Sequence, residues 1–383
     1  MELDLQKIRN DINNVDDNII SLYKKRLSLC DMVAEYKRNS GKAVLDSSRE
    51  DSIIKRLTEG LNENDSYAVS GLYKRIFEIS RSRQYEKIAS PDPFFYELMQ
   101  KSLNAAPFPK KAAVACQGVD GAYSSIACKI LFEEPSALYF ESFESVFKGV
   151  TSGLCQYGIL PFENSIYGSV SEVYEMLSRF EGYVVRSVKL PIHHALLAKN
   201  GTSFSDINEI CSHRQAIGQC SKFLGENKKI KVTVCENTAA AARMVAESER
   251  HDIAAVCSET CAEKYGLSVL KKDLQNSSVN YTMFYCISKE PEIYPEITKS
   301  AFMFNIKNQA GSLESVLSRF SAAGINLTKI ESRPIPGKDF EFMFYAEADI
   351  SGLDEKNCLL FSQLKKELDF FKFIGAYREI TVD

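Results

Sequence analysis

The chain has 383 residues, enough for two or three domains with cores of their own. Charged residues are 26% and hydrophobic ones 45%, as in soluble globular proteins, and a net charge of -4 gives no argument for nucleic acid or an anionic membrane. No apolar run approaches the ~20 residues of a membrane span, and the charged start MELDLQKIRND is not a secretory signal.

In chain order, Leu5, Ile8, Ile12, Val15, Ile19, Leu22, Leu29 and Val33 recur at helical spacing, and no Gly or Pro interrupts before Gly41. A helix of roughly 33 residues is about 50 Å long, too long for one small domain to cover, so it asks for a partner helix from a second chain. A second helix opens near Ser47, with Ser47-x-x-Glu50 as a capping box, and a third runs from about 65 to 86. Arg26 and Lys37 share a face of the first helix. Asp46, Arg49 and Glu50 open the second, and Ser80 and Gln84 are an i, i+4 pair on the third. Taken singly, such residues read as solvated surface. Ala89-Ser90-Pro91-Asp92-Pro93 breaks the third helix, and residues 91–110 read as a linker with a short helix at 94–103.

Residues 111–290 read as an α/β module. The apolar run 112–116 leads into Gly118-x-x-Gly121-x-Tyr123-Ser124 and a helix, an arrangement that suits an anion. A nucleotide-binding reading lacks the third glycine and the ribose-binding acid. A helix with Phe143, Val146 and Phe147 precedes a strand at 157–160 that stops at Pro161. Glu163, Asn164 and Ser165 follow, then Gly168 and a helical pattern. Ligands of open α/β sheets sit past the carboxyl ends of strands, although a capped strand-to-helix turn is the plainer reading. The run 191–197 reads as a crossover strand into a second lobe. Ser212-His213-Arg214-Gln215 then opens a helix on which Ser212 shares a face with Gln219 or serves as N-cap. Strands at 253–256 and 280–287, the latter returning to the first lobe, complete a two-lobed, periplasmic-binding-protein-like architecture whose cleft binds small anions.

Residues 299–383 read as βαββαβ, an α+β ferredoxin-like unit. Its strands are expected at 301–306, 325–332, 340–348 and from 371, its helices from 311 and at 355–368. Ala310-Gly311-Ser312-Leu313 opens the first helix, where glycine lets backbone amides approach a small ligand, and Glu331-Ser332-Arg333-Pro334 ends a strand. The 11 cysteines are odd in number and lack a Cys-x-x-Cys pair. Most sit in apolar runs (Cys116, Cys128, Cys286), and Cys257 and Cys261 are expected on one helix face. His193, His194, His213 and His251 form no metal spacing. A reduced, cytosolic chain without metal or cofactor is expected.

Three resemblances follow from these residues. Arg9, Arg26, Lys37, Asp46, Arg49, Glu50, Ser80 and Gln84 fill, in order, the pattern of the helical chorismate mutase family, which residues 1–90 resemble. The resemblance implies an all-α module that rearranges chorismate to prephenate. Arg9, Arg26 and Arg49 would hold carboxylates, and Lys37 and Gln84 would donate to the breaking ether oxygen. Glu50 would accept from the ring hydroxyl, and Asp46 and Ser80 would complete the pocket. Arg9 and Arg26 lie about 25 Å apart along one helix, so Arg9 would come from the other protomer of the family's intertwined homodimer.

Residues 111–290 resemble the prephenate dehydratase family through Gly118, Gly121 and Ser124, the 161–165 segment with Gly168, Ser212 with Gln219 and Cys220, and Asn280-x-Thr282-x-Phe284. The resemblance implies that Thr282 donates to the departing ring hydroxyl while Glu163, Asn164, Ser165, Ser212 and Gln219 line the cleft. Met283 stands where the family has arginine. Arg214, where the family more often has proline, is expected to restore that charge; otherwise the family arginine is structural and Met283 only packs. The 310–313 and 331–334 segments resemble the two motifs of phenylalanine-binding ACT domains, so Ala310, Gly311, Ser312, Leu313, Glu331, Ser332, Arg333 and Pro334 are the expected effector site. The whole order resembles the bifunctional chorismate mutase–prephenate dehydratases, which implies conversion of chorismate through prephenate to phenylpyruvate with feedback by phenylalanine. Two rivals are dehydration of arogenate, and a phenylalanine-sensing protein whose second module is a non-catalytic cleft.

Overall fold

The structure, a computed structural model, describes residues 4–42, 44–88, 91–179, 181–277, 279–335, 337 and 341–382. It divides into two compact units, one of residues 1–100, 304–345 and 353–371, the other of residues 101–303, 346–352 and 372–383. Ala89 and Ser90 of the expected helix-breaking segment, and the expected strand start Phe340, lie outside the described residues.

The first unit is built on α1 (Leu5–Ser40), α2 (Ser47–Thr58) and α3 (Glu63–Ile88). Asp4 caps α1 by accepting from the Gln6 and Lys7 amides, and Gly41, at φ 67°, ends it in the left-handed region. The Arg83 guanidinium grips Asp31 through two bonds of 2.7 and 2.8 Å, with Lys87 at 3.0 Å, which ties α3 to α1 and holds the Asp31 carboxyl below the usual range. Pro93 begins α4 (Pro93–Leu103), where its missing N–H costs nothing, and Phe95 and Leu98 are its buried anchors.

The second unit holds β1 (Lys111–Gln117), α5 (Tyr123–Leu131), β2 (Glu134–Phe140), α6 (Phe143–Thr151), β3 (Tyr157–Asn164), β4 (Gly168–Ser169), α7 (Ser171–Arg179) and β5 (Tyr183–Pro191). Next come β6 (Ala195–Lys199), β7 (Glu209–His213), α8 (Arg214–Gln219), α9 (Ser221–Glu226), β8 (Lys231–Cys235), α10 (Thr238–Glu247), β9 (Ile253–Cys257), α11 (Thr260–Tyr265), β10 (Leu267–Lys271) and β11 (Tyr281–Ser288). The remaining elements are β12 (Lys299–Asn305), α12 (Ser312–Ala322), β13 (Asn326–Pro334), β14 (Phe342–Asp349), α13 (Glu355–Glu367) and β15 (Phe371–Thr381), the expected βαββαβ order. Of these, α12, β13 and α13 belong to the first unit.

Within the second unit, one sheet runs β15-β5-β11-β3-β1-β2 and another β10-β6-β9-β7-β8. In the first, β1 is parallel to β2 and β3, while β11 is antiparallel to both β3 and β5. In the second, β9 (Ile-Ala-Ala-Val-Cys) is buried on both faces, as a central strand requires, and the alanines of α10 pack closely on that lobe's core. The chain crosses between the sheets at residues 192–194 and again between β10 and β11, so the apolar run at 191–197 is the end of β5, a link and the start of β6 rather than one strand.

Four local expectations are corrected. The cap of α2 is Asp46, whose carboxylate accepts from the Arg49 amide; Ser47 is the first helical residue. The strand β3 does not stop at Pro161 but runs to Asn164. Register slips between Met283 and Phe284, leaving Phe162 as the extra residue, and a bulge is where a strand tolerates proline. Ser212 lies on β7, not on α8, whose cap is His213. Cys257 ends β9 while Cys261 lies on α11, so they share no helix face; all 11 cysteines are free. No helix among the described residues is long and apolar enough to cross a membrane.

Gly375 on β15 sits so close to β5 that a Cβ there would run into the Val184 carbonyl oxygen. Backbone cannot yield as a flexible side chain does, so Gly375→Ala is expected to cost about 3 kcal/mol or more, read as a lowered denaturant midpoint. Stability like that of the parent chain would refute the close approach.

Candidate functional site

Two polar clusters gather most of the expected site residues. In the first unit, Arg26 on α1 donates through Nη1 to Ser80 Oγ on α3 at 2.5 Å and lies 5.6 Å over the Phe77 ring. Gln84, one turn beyond Ser80, is buried with its Oε1 unpartnered. Lys37 donates to the Val44 carbonyl at 2.6 Å. Burial lowers the Lys37 pKa, and the neighbouring Asp46 and Glu50 carboxylates oppose that shift. Glu50 is held by Arg81, whose Nη1 lies 2.5 Å from both carboxylate oxygens. Arg26, Lys37, Asp46, Glu50, Ser80 and Gln84 are thus neighbours. Arg49 is exposed beside them, and Arg9 is exposed near the N-terminus of α1, about 25 Å from Arg26 by helical rise. Arg81 carries no assignment from sequence, although its i, i+3 spacing to Gln84 puts it on that face.

The second cluster lines a cavity of about 240 Å³ in the second unit, with walls from both sheets. Asn164, Gln219 and Thr282 line it, together with Ser124, Phe284, His194, His213 and Glu236. Asn164 Nδ2 lies 3.0 Å from Thr282 Oγ1, 3.0 Å from Asn280 Oδ1 and 3.1 Å from the Tyr281 carbonyl. Its Oδ1 accepts from the Ile166 and Tyr167 amides. Because Asn164 donates to Thr282 Oγ1, the Thr282 hydroxyl keeps its own proton to give elsewhere. His194, which the sequence did not single out, sits 2.6 Å from Gln219 through Nε2.

Three expected cleft residues are not on this wall. Ser212 is fully buried and donates to the Val256 carbonyl at 2.5 Å, joining β7 to β9. Ser165 is exposed and accepts from the Tyr281 amide at 2.9 Å. Glu163 is half-buried, paired across the ladder with Met283 and Ser169. Met283 also faces Lys189 on β5. Arg214 is exposed at the start of α8 and does not line the cavity, so the expectation that it restores a cleft cation is not met.

Gly311 caps α12 in the left-handed region at φ 87°. Ala310, Gly311 and Ser312 line a cavity of about 820 Å³ in the first unit, with Glu50, Lys74 and Arg81 also on its wall. Leu313 and the 331–334 segment are not on that wall. Glu331 and Arg333 instead pair at 2.6 Å, and Ser332 and Pro334 continue β13. Of the two motifs, this cavity takes residues from the first only.

Comparison with known proteins follows this geometry. The family profile described as "Prephenate dehydratase" matches residues 114–292, and the one described as "Chorismate mutase type II" matches residues 8–85. Arogenate dehydratase/prephenate dehydratase 2, chloroplastic, of Arabidopsis thaliana is 33% identical over 315 residues, covering 78% of this chain and 81% of that protein. The bifunctional chorismate mutase/prephenate dehydratase of Enterobacter agglomerans is 29% identical over 385 residues, covering 97% of this chain and 95% of that one. A prephenate dehydratase structure from Arthrobacter aurescens shares the fold at TM-score 0.63 and 24% identity, over 69% of this chain and 89% of that one. This chain belongs to the prephenate dehydratase family, in the bifunctional form that carries a chorismate mutase domain ahead of the dehydratase.

Proposed function

We infer that this chain catalyses two successive steps, the rearrangement of chorismate to prephenate and the conversion of prephenate to phenylpyruvate. The observation that carries the reading is the Asn164–Thr282 pair in the cleft, downstream of a mutase-like polar cluster on the same chain. In the first step a C–O bond breaks as a C–C bond forms within one molecule, so the protein needs only to fold a dicarboxylate and meet the charge growing on the ether oxygen. Arg26 and Arg49, with Arg9 of a second copy, suit the carboxylates. Lys37 and Gln84 suit the ether oxygen, Glu50 the ring hydroxyl, and Asp46 and Ser80 the remaining wall.

In the second step Thr282 Oγ–H gives its proton to the departing ring hydroxyl, which leaves as water. The ring carboxylate leaves as carbon dioxide, its electron pair entering the ring, and solvent returns the Thr282 proton. Asn164 orients that hydroxyl, and Gln219 offers its amide to the substrate. Glu163, Ser165 and Ser212 belong to this reading as supports of the cleft strands. The bifunctional relatives span nearly the whole chain, mutase included, which favours prephenate over arogenate as the substrate made in place.

The domains we assign are 1–90 mutase, 91–110 linker, 111–290 dehydratase and 299–383 an ACT domain. Phenylalanine would bind at 310–313 and 331–334 and favour a less active state through its differential affinity. A homodimer is supported by α1, where Ile12, Val15, Ile19 and Leu22 are 53%, 55%, 56% and 67% exposed in the single chain.

Three measurements test this. Thr282→Ala should lower phenylpyruvate release by roughly a hundredfold, the usual worth of a general acid, while chorismate is consumed at the parent rate. A variant that still makes phenylpyruvate normally removes Thr282 from the reaction. Ile12→Asp with Ile19→Asp should give a monomer in sedimentation and abolish the mutase rate, because Arg9 would no longer reach the pocket; a monomer with full mutase activity refutes the shared site. Because the folded Lys37 pKa is lowered, its ammonium donor is lost on raising the pH earlier than from an exposed lysine. The mutase rate should therefore fall on the alkaline side below about pH 10.4, and Lys37→Arg should move that fall upward.

A further inference from the structure

His194 and Gln219 form a braced pair on the dehydratase cleft. His194 is 2% exposed and Gln219 6%, and both line the cavity. Its Nε2 lies 2.6 Å from Gln219 Oε1, and an amide oxygen can only accept, so Nε2 carries the proton and donates. His194 Nδ1 is then a bare lone pair, buried without a partner among the described residues. The other tautomer would bury an orphan N–H instead, which native interiors avoid more strictly than an orphan acceptor. Burial also lowers the imidazole pKa and keeps the ring neutral. One short segment fixes both residues. The Leu274 amide donates to the His194 carbonyl at 2.9 Å, Gln275 Oε1 accepts from the His194 amide at 2.9 Å, and the Asn276 amide donates to the Gln219 carbonyl at 2.7 Å.

We propose that His194 is a positioning residue for the dehydratase step: by occupying Gln219 Oε1 it presents the Gln219 NH₂ group to a carboxylate oxygen of the substrate. The proposal rests on the dehydratase reading above. A terminal amide turns about its last torsion between two nearly isosteric states, so sterics alone do not choose which atom faces the ligand. The Nε2–H of His194 makes that choice. Turned the other way, the amide would set its carbonyl oxygen against an anion.

The test uses the full-length protein, with prephenate turnover and chorismate consumption measured on one preparation. His194→Leu is expected to lower kcat/KM for prephenate roughly tenfold, the loss of about one hydrogen bond to a charged group, while chorismate consumption is unchanged. His194→Gln, which restores an N–H donor near Nε2, should recover most of that loss. The double variant His194→Leu/Gln219→Leu should be no worse than Gln219→Leu alone, because His194 acts through Gln219. Gln219→Glu, which keeps an acceptor for His194 but sets a carboxylate oxygen toward the ligand, should be as poor as Gln219→Leu. An active Gln219→Glu, losses that multiply in the double variant, or a His194→Leu protein with parent turnover would each overturn the proposal. Should His194→Leu lose chorismate consumption as well, it has failed to fold, and Gln219→Glu decides alone. A parent protein that consumes chorismate yet releases no phenylpyruvate refutes the dehydratase reading itself.

Discussion

The amide of Asn164 is the interaction on which the second unit's cleft depends. Its nitrogen serves three acceptors on residues 280, 281 and 282, and its oxygen holds the turn at 166 and 167. Thr282 lies 118 positions further along the chain, so this one side chain fastens two distant strands where the proposed proton donor stands. Strand β11 can sit between β3 and β5 in one register only, because a shift by one residue would turn Thr282, Phe284 and Cys286 to the opposite face. The bulge at Phe162 absorbs the mismatch and lets Pro161 stay within a strand that reaches Asn164. The rigidity of the cleft therefore comes from sheet pairing, which also presents the Thr282 hydroxyl to the cavity.

The first unit solves a different problem. Its first two helices bury little in the single chain: Ala34 is the buried residue of α1, and α2 has none. Charged pairs do part of the joining, with Asp31 gripped by Arg83 and Glu50 by Arg81. An apolar stripe along a 36-residue helix is left facing solvent in the single chain. A helix that presents such a stripe over most of its length is stable when a second apolar surface covers it, which is the ground for the proposed homodimer.

Periodicity made the helices and most strands legible, because spacing of apolar residues is a local property. The start of α2 was legible to within one residue, but not whether Asp46 or Ser47 supplied the cap; both are good capping residues, and the backbone geometry decides. Proline at 161 read as the end of a strand, since a bulge depends on the partner strand and leaves no mark in its own segment. Ser212 was placed in the cleft by the family resemblance, and its spacing to Gln219 fitted one helix face, yet the helix begins only at Arg214. His194 and Arg81 went unassigned for a shared reason. Each matters through a contact distant in sequence, Gln219 for one and Glu50 for the other, and no local pattern announces it.

The replacement of a family arginine by Met283 can be weighed against the charges the cleft presents. Among the described residues the cavity wall holds no lysine or arginine, and Glu236 is a carboxylate on it. A dicarboxylate there still needs compensation. Two helices of nine and ten residues, α5 and α10, begin at this wall, with Ala122, Tyr123 and Ser124 from one and Asn237 and Thr238 from the other. Unpaired amides and the aligned dipole at such ends favour an anion without any cation. Met283 itself pairs across the ladder with Glu163 and Lys189, and those two side chains carry opposite charges. An arginine at that position would first meet the neighbouring carboxylate of Glu163. The residue at 283 thus bears on the electrostatics of the strand face beside the cleft, while the proposed proton donor and the helix ends at the cavity are supplied by other positions.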